Sequence, residues 1–271
     1  MNNAINYLIA IFIAISSSSV YANIEELIIG GTGNGLGGIR LISKEFMKKY
    51  PTIKVKVLPS LGSGGAIKAI KSNAIQLGIL GRDLKQKEKR NDLQIIKYAS
   101  TPTIFSVNKN NTINDITTSE ITDIYSGKKS VWSNGTIIRP ILRSESDSNT
   151  EELRALSINT SKAVDIANKQ SGLPFGLNDQ DTANKLEDIP GSFGMSTLAL
   201  MLTENRNIKA LRFNGIEPTP ENFANGTYPL GKEFFTLVKI NNNTTAKLFI
   251  SFLRSSEGRL ILETSGHYVI K

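Results

Sequence analysis

The sequence predicts an α/β fold in which short buried strands alternate with amphipathic helices. Two observations indicate this: an apolar run at 27–29 leads through a glycine-rich turn into a helical pattern, and the same order recurs from 54 to 70. A third apolar run at 75–80 also ends in a glycine turn. Because ligands of open α/β sheets bind at the carboxyl ends of the strands, we expect the three turns to meet around a ligand.

The first glycine turn has the composition of an anion-binding helix start. The helix after it repeats apolar residues at spacings of three and four, and the turn itself consists of Thr32, Gly33, Asn34 and Gly35. Unpaired N–H groups at a helix start, together with the helix dipole, attract anions. The alternative is a tight connection without a ligand, because the turn matches neither the dinucleotide fingerprint nor the Walker motif.

The second and third turns strengthen the prediction of a site. Ser63 and Gly64 open the second helix, and Ser63 takes the position of an N-cap hydroxyl. The third strand ends at Gly81 and Arg82. Three turns at one edge of a sheet indicate a binding site more strongly than one turn does.

Residues 1–22 have the pattern of a secretory signal peptide. An apolar core at 8–15 is followed by small polar residues and by a small-x-small cleavage pattern at 20–22. The chain contains no cysteine, which excludes a lipid-anchored cysteine and a disulfide framework. We therefore expect export through a cleavable signal peptide to a bacterial periplasm or outside the cell, with no lipid anchor.

Charge and composition narrow the function classes. With 32 Lys and Arg against 24 Asp and Glu, the formal net charge is +8, which raises the concentration of anions near the surface. The lysines are scattered without interleaved aromatic residues, so we expect no nucleic-acid partner. The only histidine is His267, and there is no Gly-x-Ser-x-Gly elbow, so we expect no enzyme, no metal site and no cofactor.

An ordered set of motifs resembles the phosphate-binding periplasmic proteins of ABC transporters. The likeness begins with the three glycine turns and continues along the chain at 121–128, 132–135, 143–150, 189–194, 218–230 and 249–258. The motifs cover nearly the whole chain after the signal peptide in the order of that family. No single motif is decisive, but the ordered set is strong evidence for the resemblance.

The resemblance implies a two-lobed Venus-flytrap protein of type II topology, each lobe a mixed sheet flanked by helices. Lobe 1 would comprise 23–100 plus 226–271, and lobe 2 would comprise 101–225. The segment 99–108 is then expected to be the first strand that crosses between the lobes. The resemblance also implies a monomer that closes on a small, phosphate-like anion and delivers it to an ABC permease. A ligand-sensing or scaffolding protein that partners a membrane sensor is the alternative on the same fold.

The resemblance also implies a set of binding residues. Ser63 and the turn at Asn34 or Gly35 would face the ligand, and the planar guanidinium of Arg143 would contact its oxyanion. The full expected set is Thr32, Gly33, Asn34, Gly35, Ser63, Gly64, Arg82, Arg143, Asp147, Ser148 and Asn149.

Two positions depart from the phosphate-binding pattern. Gly81, with Arg82 beside it, stands where phosphate-specific members have the aspartate that accepts the phosphate proton. Asp147 introduces a carboxylate into the loop that should donate hydrogen bonds. It either caps a helix at 150–156 or accepts a hydrogen bond from a ligand that carries both an anion and a donor.

A second acidic stretch lies further along the chain. We expect Asp179 or Asp181 to be the N-cap of a helix that follows it, with a ligand contact from Asp179 or Thr182 as the alternative.

Overall fold

The computed structural model describes residues 25–240 and 244–269, so the predicted signal peptide at 1–22 lies outside the described residues. The strands are β1 (Glu25–Gly31), β2 (Ile53–Val57), β3 (Leu77–Leu80), β4 (Leu93–Asn108), β5 (Asp115–Ile116), β6 (Arg139–Pro140), β7 (Ser192–Thr197), β8 (Ile208–Ala210), β9 (Arg212–Phe213), β10 (Gly231–Lys239) and β11 (Tyr268–Val269). The helices are α1 (Gly33–Lys49), α2 (Gly62–Lys71), α3 (Thr118–Tyr125), α4 (Ser148–Ala155), α5 (Ile158–Asn168), α6 (Asp179–Asp188), α7 (Leu198–Thr203), α8 (Pro220–Ala224), α9 (Thr244–Leu253) and α10 (Ser256–Glu263).

One mixed sheet runs through the molecule in the order β2-β1-β3-β10-β4-β7-β6, with β8 and β11 also paired to β4. β1 is parallel to β2 and β3, whereas β10 is antiparallel to β3 and β4. The long strand β4 pairs with β10 as far as Pro102 and with β7 from Thr103 onward. This confirms the predicted α/β fold and the predicted strand at 99–108, which joins the two halves of the sheet.

We call the half of the sheet that contains β1, β2, β3 and β10 lobe 1, and the half that contains β6, β7 and β8 lobe 2. Each half has its own apolar core. In lobe 1 the predicted helical face of α1 is buried through Leu36, Ile39, Ile42 and Phe46. In lobe 2 the core centres on Phe105 and Phe193, whose rings stack 5.8 Å apart.

Four helices begin around the space between the lobes. Because β1, β2 and β3 are parallel, their carboxyl ends lie at one edge, where α1 follows β1 and α2 follows β2. α4 and α6 begin on the lobe 2 side of the same space. Helix α7 follows β7 but packs against α1, and its Ala199 is buried in the lobe 1 core. The predicted meeting of glycine turns at one edge is therefore present in the fold.

Candidate functional site

A cleft of about 490 Å³ lies between the two lobes. Seven predicted binding residues line it: Thr32, Ser63, Gly64, Arg82, Arg143, Asp147 and Ser148. Three others, Gly33, Asn34 and Gly35, are buried in the first turn of α1, and Asn149 lines a small neighbouring cavity together with Arg143. The fold thus brings distant parts of the predicted set to one place.

The charges around the cleft are mixed. The lining contains four basic residues, Arg82, Lys85, Lys87 and Arg143, and four acidic residues, Glu88, Asp147, Glu151 and Asp179. An anion would therefore meet attraction and repulsion in the same space. Which cations and N–H groups remain available depends on the hydrogen bonds that the chain already makes.

The start of α1 is occupied by a carboxylate of the protein itself. Asp179 Oδ2 accepts a hydrogen bond from the backbone N–H of Asn34 (3.1 Å) and another from the hydroxyl of Thr32 (3.3 Å). Thr32, the N-cap residue of α1, makes no capping hydrogen bond with its side chain. Asp179, on α6, therefore supplies the acceptor that an N-cap side chain would normally provide.

The predicted N-cap of α6 was wrong. Asn178 is the N-cap residue, and its side chain accepts a hydrogen bond from the backbone N–H of Asp181 (2.9 Å). Asp181 accepts from the backbone N–H of Leu177 (2.8 Å) and forms an ion pair with Lys185. Because Asn178 already caps α6, the side chain of Asp179 is not needed for capping there. The Asp179 carboxylate contacts the start of α1 instead.

Arg143 lies on the lobe 2 side of the cleft with its guanidinium already engaged. Its Nη2 donates to the carboxylate of Asp147 and to Asp179 Oδ1 (3.2 Å), and its Nη1 donates to Thr182 Oγ1 (3.2 Å). The side chain is only 10% exposed. One cation thus lies between two carboxylates, so the positive charge of Arg143 is already more than balanced by groups of the protein itself.

Asp147 has the capping role that was one of its two predicted alternatives. Its Oδ1 accepts from the backbone N–H of Asn149 (3.0 Å), and α4 begins at Ser148, two residues before the predicted start. The same carboxylate pairs with Arg143. The N–H of Asn149, an expected donor to the ligand, therefore binds Asp147.

Burial dominates the electrostatics of Asp179. Its side chain is 9% exposed, and removal from water raises the pKa of its carboxyl above the usual range, since burial disfavours the charged form. The negative charge of Asp147 raises this pKa further, whereas Arg143, Lys232 and the Asn34 N–H oppose the rise. Loss of the carboxylate charge is therefore easier here than at an exposed aspartate.

The start of α2 contrasts with the start of α1: its N-cap residue is Leu61, which has no polar side chain, and no side chain among the described residues accepts a hydrogen bond from its first N–H groups. Gly62 adopts the left-handed region with φ of 66°, which turns the chain into the helix, and Ser63 and Gly64 line the cleft. Ser63 Oγ accepts from the backbone N–H of Gly81 (3.0 Å), which joins the second and third turns. Within the described residues the Ser63 hydroxyl hydrogen has no acceptor, so it can donate into the cleft.

Two predicted contacts are engaged elsewhere. Arg82 donates through both terminal nitrogens to Glu88 at 2.7 and 2.9 Å, a pairing that lowers the pKa of Glu88 to about 2. Ser148 Oγ accepts from Lys232 Nζ (3.0 Å), and Lys232 also pairs with Glu152. Both residues line the cleft. The guanidinium of Arg82 is engaged with Glu88, whereas the Ser148 hydroxyl, like that of Ser63, accepts one hydrogen bond and has no acceptor for its own hydrogen among the described residues.

Sequence reasoning missed the basic residues that line the cleft beside Arg82. Lys85 and Lys87 follow the third strand, and the scattered lysines gave no sign that these two face a ligand space. Lys232 was missed as well, because its side chain reaches α4 from strand β10. Their position directly after a predicted third turn was the one signal that could have indicated Lys85 and Lys87.

Two further features, a metal-binding cluster and a membrane-spanning helix, are absent from the parts of the chain that the structure describes. At 25–240 and 244–269, no three His, Cys, Asp or Glu side chains come together in a way that could hold a metal ion. Across the same ranges, no helix combines the length and apolar character needed to cross a membrane.

Two lobes joined by a shared sheet, with helix starts around the cleft between them, form the architecture of a two-lobed binding-protein fold. The chain belongs to the PBP superfamily: the family's sequence profile, described as the PBP superfamily domain, matches residues 16–257. The resemblance found in the motifs is thereby confirmed.

Individual relatives agree with this assignment. Over 235 residues the chain is 24% identical to the phosphate-binding protein PstS of Bacillus subtilis, covering 84% of this chain and 74% of that protein. A structure from Clostridium perfringens with bound phosphate superimposes with a TM-score of 0.76 at 22% identity, covering 91% of this chain and 100% of the other. An ABC-type phosphate transport receptor from Vibrio cholerae gives a TM-score of 0.62 at 20% identity, with 90% and 99% coverage. At these identities the structural likeness establishes the fold.

Proposed function

We propose that this protein is a periplasmic substrate-binding protein that captures a small oxyanion, phosphate or a related anion, for an ABC transporter. The observation that carries the proposal is the uncapped start of α2, where Ser63 and Gly64 line the interlobe cleft that also contains Arg143. Free N–H groups at a helix start, a hydroxyl donor and nearby cations are the groups that bind an oxyanion. The names of the relatives support phosphate as the first ligand to test.

The proposed contacts divide into two groups. Ser63 and Gly64 offer donors that have no acceptor among the described residues, and Lys87 adds positive charge to the lining of the cleft. Lys85 also lines the cleft, where it pairs with Glu151 at 3.6 Å. Of the other expected contacts, Thr32, Arg82, Arg143, Asp147 and Ser148 line the same cleft. Gly33, Asn34 and Gly35 lie buried at the start of α1 and Asn149 lines the neighbouring cavity, so these four remain proposed contacts beside the cleft. We propose no catalytic step, cofactor or metal for this cleft, because ligand capture requires none.

We also propose the division into 23–100 plus 226–271 and 101–225 as the boundaries of the lobes, with a small shift at each of the two crossing points. Tyr228 and Leu230 are buried in the lobe 2 core, so we set the second crossing point at Leu230–Gly231. The first crossing point is Pro102–Thr103, where β4 exchanges β10 for β7 as its partner. On this proposal the exported protein is a monomer without a lipid anchor.

The proposal is tested by titrating inorganic phosphate into the purified protein in a calorimeter, together with the variant Ser63→Ala. The variant should bind phosphate about fivefold more weakly, equivalent to roughly 1 kcal/mol for one lost hydrogen bond. Ser72→Ala is the matched control, since Ser72 lies at the opposite, exposed end of α2 and its hydroxyl donates to Ala69 O. Absence of phosphate binding by the unaltered protein would refute phosphate as the ligand. Unchanged affinity of Ser63→Ala would refute the assigned contact.

A further inference from the structure

We propose that Asp179 is an internal ligand of the cleft: its carboxylate takes the place of an oxyanion at the start of α1 and links the two lobes. The part of the proposal that concerns displacement by an external anion rests on the proposed function above. The part that concerns the lobes does not.

The contacts of Asp179 are those that an oxyanion would make. Its two oxygens receive a backbone N–H from a helix start (Asn34), a hydroxyl (Thr32) and a guanidinium nitrogen (Arg143), at 3.1, 3.3 and 3.2 Å. We call these three groups the α1 donor set. Backbone N–H, hydroxyl and guanidinium donors are also the groups that the sequence predicts for the bound anion. The Asp179 carboxylate thus accepts hydrogen bonds from the same kinds of donor as a bound oxyanion would, and like the oxyanion it is negatively charged.

The donor set spans the two lobes. Thr32 and Asn34 follow β1 in lobe 1, whereas Arg143 and Asp179 belong to the lobe 2 side of the cleft. Asp179 therefore makes a charged contact across the cleft as well as one within its own lobe. Loss of this contact should weaken the association of the two lobes without removing either core.

The neighbouring residue shows that the chain is adapted to this contact. Gln180 Nε2 donates to the backbone carbonyl of Gly33 at 3.1 Å. A Cβ atom on Gly33 would lie 2.3 Å from Gln180 Oε1 and 2.9 Å from the Cβ of Asp179. Only glycine permits α6 to approach α1 this closely. The first glycine turn, predicted as an anion site, thus accommodates a carboxylate-bearing helix.

Charge explains why an external anion must compete with Asp179. Arg143 already contacts the carboxylates of Asp147 and Asp179, so a third anion at the α1 donor set would place three negative groups around one guanidinium. Like charges at such distances repel strongly where water is excluded. An oxyanion that enters beside Ser63 can therefore use the α1 donor set only after Asp179 has left it.

The first measurement tests the lobes without any ligand. Because the chain has no cysteine, spin labels can be placed specifically at Lys68→Cys on α2 and Lys162→Cys on α5, two exposed positions on different lobes. We expect Asp179→Ala to lengthen or broaden the interlobe distance distribution measured by double electron–electron resonance. Asp181→Ala, which removes the same charge from the same helix turn, should leave the distribution unchanged. An unchanged distribution in Asp179→Ala would overturn the proposal.

The second measurement tests displacement. Titration with inorganic phosphate should show affinity at least tenfold tighter in Asp179→Ala than in the unaltered protein, and no change in Asp181→Ala. Asp179→Asn, which keeps the shape of the side chain, provides a second variant if the alanine variant does not fold; it should also bind more tightly because the negative charge is gone. Weaker or equal binding in the folded variants would overturn the displacement step and make Asp179 a direct ligand contact or a structural residue.

The two measurements separate this inference from the proposed function. If no variant binds phosphate but Asp179→Ala still opens the lobes, the interlobe role of Asp179 is supported and the phosphate assignment is refuted. If phosphate binds to the unaltered protein but Asp179→Ala changes neither the distance nor the affinity, the proposed function stands and the internal-ligand proposal is refuted.

Discussion

His267 shows how burial changes the pKa of a single side chain. It is the only histidine in the chain, so its titration is not overlapped by that of another imidazole. Its side chain is buried, and Nδ1 lies 3.1 Å from the carbonyl oxygen of Leu262. Burial lowers the pKa of His267 to about 4, since the charged imidazolium is poorly solvated. A histidine in this position is neutral in the folded protein at all but acidic pH.

The lowered pKa of His267 has a definite sign for stability. The unfolded state takes up the proton near pH 6.5 and the folded state only near pH 4, so stability is lost as the pH falls through that interval. We expect His267→Asn, which can still donate to Leu262 O, to flatten the decline in unfolding free energy between pH 6.5 and pH 4. Urea unfolding at several pH values measures this, and an unchanged slope in the variant would assign the decline to other groups.

Two aspartates show what could be predicted about single residues. The capping role of Asp147 was accessible from sequence, because the capping carboxylate and the N–H that donates to it lie two residues apart. The contact of Asp179 with Asn34 was not, because 145 residues separate the partners. The sequence around an aspartate in the first turn of a helix is the same whether its side chain caps that helix or a neighbouring one. Only the packing of α6 on α1 shows that Asp179 caps α1.

At the scale of helices, α1 and α2 begin with similar glycine-rich turns but differ in what faces them. A Cβ atom at Gly33 on α1 would collide with α6, whereas a Cβ atom at Gly64 on α2 would have no other atom within 4 Å. The sequence predicted both helix starts and their buried faces from apolar spacing. It could not show that one start is filled by a neighbouring helix and the other faces open space, because that depends on how the lobes meet.

This difference predicts opposite effects for one substitution. Gly33→Ala should destabilise the protein by about 1–3 kcal/mol, because the added methyl group forces α6 away from α1. Gly64→Ala should be neutral or stabilising by up to about 1 kcal/mol, because alanine favours a helix and meets no obstruction. Chemical unfolding of both variants measures the effects. If Gly33→Ala and Gly64→Ala changed the free energy of unfolding equally, the start of α1 would be no more tightly packed than the start of α2.

At the scale of the whole molecule, the two lobes share strand β4 and are joined where it crosses. Thr103 N donates to Leu230 O at 3.1 Å, and the hydroxyl of the fully buried Tyr228 donates to Thr103 O at 2.7 Å. The motif order predicted two lobes and a crossing strand near 99–108. It did not indicate the bond from Tyr228, because the two crossing segments are 125 residues apart in sequence.

The shared strand predicts that the two lobes unfold together. Because β4 belongs to both halves of the sheet, disruption of either half removes partners from the other, and calorimetry should show one transition.

Tyr228→Phe removes a buried hydrogen bond at the crossing and should cost about 1 kcal/mol, which lowers the Tm by roughly 2–4 °C in a chain of this size. Tyr268→Phe serves as the control, since that side chain is 45% exposed. Two separate transitions would show that the lobes unfold independently, and an unchanged Tm in Tyr228→Phe would show that the bond to Thr103 contributes nothing to holding the crossing strands together.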